Sequence, residues 1–362
     1  MATPIKVLGF ETRSAWDAGT SLTINPAKGD GQIPDPAFDV GSQGGSSVSL
    51  RLEGEPSDDD DNGFGLNVDW DFEQDLPHFI MHFKFKCGDV DGREFRNGSS
   101  TWLFVLKNSS GTKRFAFYLQ TDGTFIGSVD TDGLPSSTDA TGTIVNVTEN
   151  VWYSAEVEVI TGSSGKIHFK INGLTIFEHS INTLDTVGLR SIGFSSGYNI
   201  NTEMQSFFDD FYLYVPDSTG GFLGPVNVYE SMPTGDATTS AWTKSSDGST
   251  GDIYTMVDET TEGGDGDTTY GTTETTGAKA LFNLTYPQTL TGDIIAVEYE
   301  NTIRHETTEK NWVPHRVTDG TAIDDGTSTI TPLTYETNKQ LLEINIPNAN
   351  ANGTVFGIRR ID

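Results

Sequence analysis

The chain has 362 residues, more than one small domain needs, so the starting expectation is two units, each burying its own core. Apolar residues make up 35% and aromatic residues 10%, with 40 glycines and long Ser/Thr/Asn/Asp stretches, which argues for short strands joined by turns and against helical bundles. The formal net charge of −30, from 52 acidic against 22 basic residues, repels phosphate backbones and anionic headgroups and weighs against nucleic-acid and membrane binding.

Near the N-terminus, MATPIKVLGFETRSAWD has no apolar core of the kind a secretory signal needs, and no segment reaches membrane-spanning length. The expectation is folding in a reducing cytoplasm without a cleaved signal. The residues up to about Trp16 read as an attachment arm able to add to a neighbour's sheet, with GFETRS near Gly9 as an edge strand. SVSLRLEG (Ser47 to Gly54) alternates Val48, Leu50 and Leu52 as a strand. A loop-like Gly/Asp/Pro-rich region separates these two.

From Phe79 the pattern becomes regular. FIMHFKFK sets Phe79, Met81, Phe83 and Phe85 on one face and Ile80, His82, Lys84 and Lys86 on the other, the signature of a half-buried antiparallel strand. RFAFYL turns Phe115, Phe117 and Leu119 inward. YSAEVEV opposes Tyr153, Ala155, Val157 and Val159 to Ser154, Glu156 and Glu158. KIHFKINGLTIFEH predicts a hairpin at Asn172-Gly173, a pair suited to positive φ. RSIGFS and FFDDFYLY close the series before Val215-Pro216, where proline ends pairing. The Gly/Ser-rich DSTGGFLG then marks a boundary, giving a first domain over 1–216, a linker over 217–225 and a second β domain over 226–362.

In the second domain VNVYESMP reads as a strand. The Ser/Thr/Gly/Asp-rich run from Gly235 to Gly277 carries Trp242, Tyr254, Met256, Val257 and Tyr270 as anchors that a disordered linker lacks. KALFNLTY, DIIAVEYENTIRH, KNWVPHRV, QLLEINIP and TVFGIRRI predict further strands of a second, smaller β-sandwich.

Taken in order, SVSLRLEG, Trp152-Tyr153 opening NVWYSAEVEV, the KINGLTIF hairpin and the FFDDFYLY closing strand resemble the concanavalin A-like/laminin G-like superfamily over roughly residues 5 to 215. The remainder, with GFLGPVNVYESMPTGDATTSAWT, the segment around Val257-Asp258-Glu259, DGDTTY (Asp265 to Tyr270) and TTGAKALFNLT, is similar to a module that follows such domains in bacteriophage virion proteins. The resemblance implies an all-β jelly-roll sandwich followed by a smaller β-sandwich. It also implies a non-catalytic structural component of the virion, a capsid decoration or tail and fibre appendage made in the host cytoplasm. Its partners would be other virion proteins and further copies of itself. The alternative it implies is a glycan-binding host-recognition protein of the tail.

The acidic and nucleophilic residues supply the candidate chemistry. Asp69-Trp70-Asp71-Phe72-Glu73 is similar to the alternating carboxylates of laminarinase-type glycoside hydrolases, and strand alternation puts Asp69, Asp71 and Glu73 on one face. A retaining mechanism needs carboxyls about 5 to 5.5 Å apart, whereas positions i and i+4 of a strand lie roughly 13 Å apart, and a catalytic role is rejected on that ground. A structural Ca²⁺ would draw its oxygen ligands from Asp58 to Asp61, from Asp89 with Asp91, or from Asp209 with Asp210. Alternation in FFDDFYLY places Asp209 with Phe207 and Phe211, where a carboxylate needs a partner. Cys87, the one cysteine, excludes an intrachain disulfide and has no histidine signal nearby; His305 and His315 flank Trp312 without a ligand pattern. Tyr198, Tyr212 and Tyr214 are aromatics suited either to sugar stacking or to packing.

Overall fold

The computed structural model describes residues 3–8, 22–26, 37–40, 48–53, 66–89, 101–119, 125–129, 147–148, 150–181, 188–195, 204–217, 221–229, 231, 233–257, 270–284, 292–303, 310–330 and 336–362. The chain divides into two compact units, Met1–Val228 and Tyr229–Asp362.

The first unit is built of β1 (Thr3–Leu8), β2 (Leu22–Pro26), β3 (Ala37–Val40), β4 (Val48–Glu53), β5 (Leu66–Leu76), β6 (His78–Asp89), β7 (Thr101–Lys107), β8 (Lys113–Leu119), β9 (Phe125–Val129), β10 (Trp152–Ile160), β11 (Gly165–Ile171), β12 (Leu174–Ile181), β13 (Leu189–Ser195) and β14 (Met204–Val215). An eight-stranded antiparallel sheet runs β12-β11-β10-β6-β14-β4-β3, with β1 also on β14, and a six-stranded sheet runs β2-β5-β13-β7-β8-β9. Pro77 separates β5 of one sheet from β6 of the other, so the chain changes sheet at the residue that cannot donate to a ladder.

The expected alternation holds through β6 and β10. Phe79, Met81, Phe83, Phe85, Tyr153, Ala155, Val157 and Val159 are buried between the sheets. Phe83 of the larger sheet meets Phe104 and Phe194 of the smaller at 5.6 Å between ring centroids and stacks on Phe211 at 5.5 Å. Such a phenylalanine-rich seam carries most of the burial energy of a sandwich. Asn172 and Gly173 have φ of 49° and 79°, as the predicted hairpin requires, and the Asn172 side chain accepts a hydrogen bond from the Ser154 backbone N–H of β10.

Two expectations fail at the end of this unit. Residues 221–228 are neither a free linker nor the start of a strand: they belong to the first unit and lie without strand pairing across its larger sheet. Their backbone donors go to side chains of that sheet, which is why no ladder forms. Alternation also breaks inside β14, where Phe207 pairs with Lys86 and Asp209 with Lys84, but Tyr212 pairs with His82. The extra residue is a bulge with Asp210 at φ 52°, so Phe211 turns into the core while Phe207 and Asp209 stay on the outer face.

The second unit contains β15 (Pro233–Thr239), β16 (Thr243–Lys244), β17 (Gly271–Thr272), β18 (Lys279–Leu284), β19 (Ile294–Ile303), β20 (Asn311–Thr318), β21 (Thr321–Asp324), β22 (Thr329–Ile330), β23 (Glu336–Ile346), a single helical turn α1 (Asn348–Ala351) and β24 (Val355–Arg360). A six-stranded sheet runs β15-β18-β24-β20-β21, with β22 on β20, and β19 pairs with β23 as a separate ribbon. One face of the sheet packs Ala280, Phe282 and Trp312 against Trp242 and Ile253, and Phe356 against Tyr299, Ile344 and Ile346 of the ribbon. Trp242 and Met256 anchor the Ser/Thr-rich segment as expected, whereas Val257 is exposed. The chain is all-β in both units, as the sequence led us to expect.

Candidate functional site

Register defines the outer face of the eight-stranded sheet as a grid. The first row is Trp152, Lys86 and Phe207; the next is Ser154, Lys84 and Asp209; then Lys170, Glu156, His82 and Tyr212; then Glu178, His168, Glu158, Ile80 and Tyr214. These residues are the alternates of the core positions, so the hydrophobic pattern that fills the core also aims them outward.

In the first row the Lys86 ammonium lies 4.0 Å from the Phe207 ring centroid and 5.3 Å from that of Trp152. This is a cation held against two aromatic faces.

Lys84, Asp209, Glu156, His82 and Tyr212 of the middle rows are buried, and Ser154 and Lys170 half-buried, although the rows are polar. Lys84 Nζ is 2.6 Å from Asp210 Oδ2 and donates to Asn227 Oδ1 at 2.5 Å. The bulge produces this pair, because the left-handed turn at Asp210 swings its carboxylate over Lys84. Burial raises the Asp210 pKa against the opposing pull of Lys84. His82 Nδ1 lies 3.1 Å from the Asp210 carbonyl, which can only accept, so Nδ1 carries the proton. Its Nε2 is then an acceptor, taking hydrogen bonds from Ser154 Oγ at 2.9 Å and from the Val226 N–H at 3.3 Å. Burial agrees with this neutral state, lowering the His82 pKa to about 4.

Residues 221–228 cross this grid. Phe222 lies under Lys170 Nζ at 4.0 Å and meets His168 edge-on at 4.8 Å. The Gly224 N–H donates to Glu156 at 2.9 Å, Val226 reaches His82, and the Val228 N–H donates to Asp210 Oδ1 at 2.7 Å. The segment thus passes from β11 over β10 and β6 to β14, one strand for every second residue. An extended chain covers about 6.6 Å in two residues and strands lie about 4.8 Å apart, so the crossing is oblique. The Tyr214 hydroxyl donates to the Gly221 carbonyl at 2.9 Å, and Tyr212 and Tyr214 stack at 5.3 Å between centroids. Both tyrosines are buried, so packing is their use in this structure.

The other candidates fall elsewhere. Asp69 forms short bonds to Lys107 Nζ at 2.5 and 2.6 Å, and Asp71 accepts from Arg190 Nε at 2.7 Å, on the outside of the six-stranded sheet. β13 lies between β5 and β7, and Gly193, facing Asp69 across the ladder, leaves room for the Asp69–Lys107 bridge to pass over it. Trp70 and Phe72 are buried beneath, as alternation required, and the Glu73 side chain lies outside the described residues. Asp209 accepts from the Asp210 N–H, and the Asp210 carboxylate pairs with the Lys84 ammonium. Asp91, Asp58 to Asp61, Tyr198, His305, Trp16 and the Asp89 side chain are outside the described residues. Among the described residues no group of three or more His, Cys, Asp or Glu is placed to hold a metal ion.

Cys87 is buried in β6, its thiol pushed up to about 12 by burial. His315 is buried with Nδ1 2.7 Å from Asp324, which Arg359 also binds; burial lowers its pKa. Among the described residues no helix is long and apolar enough to cross a membrane.

No protein-family model matches the sequence, and no curated protein does. Among solved structures the chain is similar to a sialidase, at 12% identity and a TM-score of 0.40 over 59% of this chain; it spans 19% of the sialidase. It is similar to the cellulose induced protein Cip1 at 12% identity and a TM-score of 0.41, over 57% of this chain and 96% of that one. The alginate lyase Aly36B gives 14% identity and a TM-score of 0.36, over 59% and 95% of the two chains. A sialidase and a lyase among these structures overturn the sequence-based expectation of a protein without catalysis, which is withdrawn.

Proposed function

We propose that this protein engages acidic glycans through the outer face of the eight-stranded sheet, as a host-recognition component of a bacteriophage appendage. The observation that carries the reading is the row Trp152, Lys86 and Phe207, in which the partly exposed Trp152 and Lys86 set an ammonium beside an aromatic ring and the buried Phe207 ring backs that ammonium. Sugar rings present apolar C–H faces that stack on aromatics, and a uronic acid adds a carboxylate that an ammonium can pair with. Ser154 and Lys84, in the next row, carry a hydroxyl and a second cation along the same direction, engaged in this structure by His82 and by Asp210 with Asn227. The virion setting, with other virion proteins and further copies as partners, rests on the resemblance of the sequence to phage modules.

The test is calorimetric titration of the full chain with alginate and glucuronan oligosaccharides and with a neutral β-glucan. Trp152→Ala is expected to weaken binding of the uronates about tenfold, the equivalent of about 1.4 kcal/mol. Lys86→Gln should weaken the uronates and leave the neutral glucan unchanged. Chromatography of the same samples reads any shortened product. Failure of the wild-type chain to bind any of these glycans overturns the reading.

A further inference from the structure

Resting on that glycan reading, we infer that residues 221–228 form a displaceable strap, lying across the path of the glycan so that the complete site opens when the strap lifts. The floor beneath the strap holds Lys84, Glu156, His82 and Asp210, all buried. A cover serving stability alone would be matched by an apolar floor, because desolvating charges costs more than packing hydrocarbon. This floor has instead the donors and acceptors of a polar ligand site.

The strap satisfies that floor with groups that a sugar chain also carries. The Gly224, Val226 and Val228 N–H groups donate to Glu156, His82 and Asp210, where sugar hydroxyls can donate equally well. Asn227 Oδ1 accepts from Lys84, where a uronate carboxylate would accept more strongly. Trp152, Lys86 and Phe207 lie one row beyond Ser154, Lys84 and Asp209, so a chain seated on that row and extended along the strands meets the strap.

The attachment is also light. Exposure alternates along the strap, with Leu223 43% exposed and Pro225 outward, so half of its side chains bury little. Phe222, against His168 and Lys170, is its aromatic anchor. Beside the Phe222 contact, its hold is a set of hydrogen bonds whose groups a sugar chain also carries.

The test measures amide hydrogen exchange at Gly224, Val226 and Val228 in the full chain, with and without an alginate tetrasaccharide, beside calorimetric affinities for the wild type and the double variant Phe222→Ala/Asn227→Ala. Faster exchange at these amides on adding the oligosaccharide is expected. Loosening the strap should tighten binding about tenfold, since the competent fraction rises. Unchanged or slower exchange with equal affinities overturns the strap while the glycan reading stands. Absence of binding by both proteins overturns the glycan reading and the strap with it. If the double variant loses its native circular dichroism, or if the two readouts disagree, exchange in the wild type decides.

Discussion

Acidification should weaken the first unit through His82, and the size of the effect follows from its surroundings. Burial lowers its pKa from 6.5 to about 4 in the folded chain. As the pH falls below 6.5 the unfolded chain takes up a proton that the folded chain refuses. Stability is therefore lost between pH 6.5 and about 4, and below that both states are protonated and the loss is complete. At about 1.4 kcal/mol per unit, the full loss is on the order of 3 kcal/mol, a large share of a marginal folding free energy. Glu156 and Asp210, whose pKa values burial raises, act in the opposite sense and regain stability as they protonate, so a bulk acid titration mixes the two signs. The clean measurement is a difference between the wild type and His82→Gln. Urea unfolding of both proteins at intervals from pH 7.5 to 4 should show the wild type losing about 3 kcal/mol relative to the variant. Nuclear magnetic resonance of the imidazole C–H should place its titration near 4. A titration near 6.5, or a difference that does not change with pH, would refute the buried, neutral assignment and with it the Val226 N–H to Nε2 bond.

Three further outcomes follow from the packing. Gly193→Ala brings a methyl group against the Asp69 carboxylate and the Val105 side chain and should cost about 1–3 kcal/mol in urea unfolding; in a Lys107→Met/Asp69→Ala background, where only the Val105 contact remains, the penalty should shrink. Phe83→Ala empties the centre of the aromatic seam, where Phe85, Phe104, Phe194, Phe208 and Phe211 all meet its ring, and should cost about 3–5 kcal/mol, read by the same assay. Cys87, buried and held as a thiol, should resist a disulfide reagent at pH 8 in the native chain and react fully in denaturant; rapid native labelling would contradict its burial.

Much of the first unit was legible in the sequence, because the side-chain period of a strand is two and burial on one face enforces it. Phe79 to Phe85 and Tyr153 to Val159 alternate for that reason, and the same arithmetic turned His82, Lys84, Lys86, Ser154 and Glu156 outward. Asn172-Gly173 was legible because few residue pairs accept positive φ at both positions. Three things were decided only by the tertiary structure. The bulge at Asp210 adds a residue without any change in the hydrophobic pattern up to Phe208, so alternation grouped Phe207 and Asp209 with Phe211 on the core face, where only Phe211 lies. The Asp69–Lys107 bridge joins strands far apart in sequence, and nothing local announces that they flank a glycine. Residues 221–225 have the composition of a linker and 226–228 the alternation of a strand start, and neither pattern reports what a segment touches. Their place is fixed by acceptors on β6, β10 and β14, which only the folded sheet brings side by side.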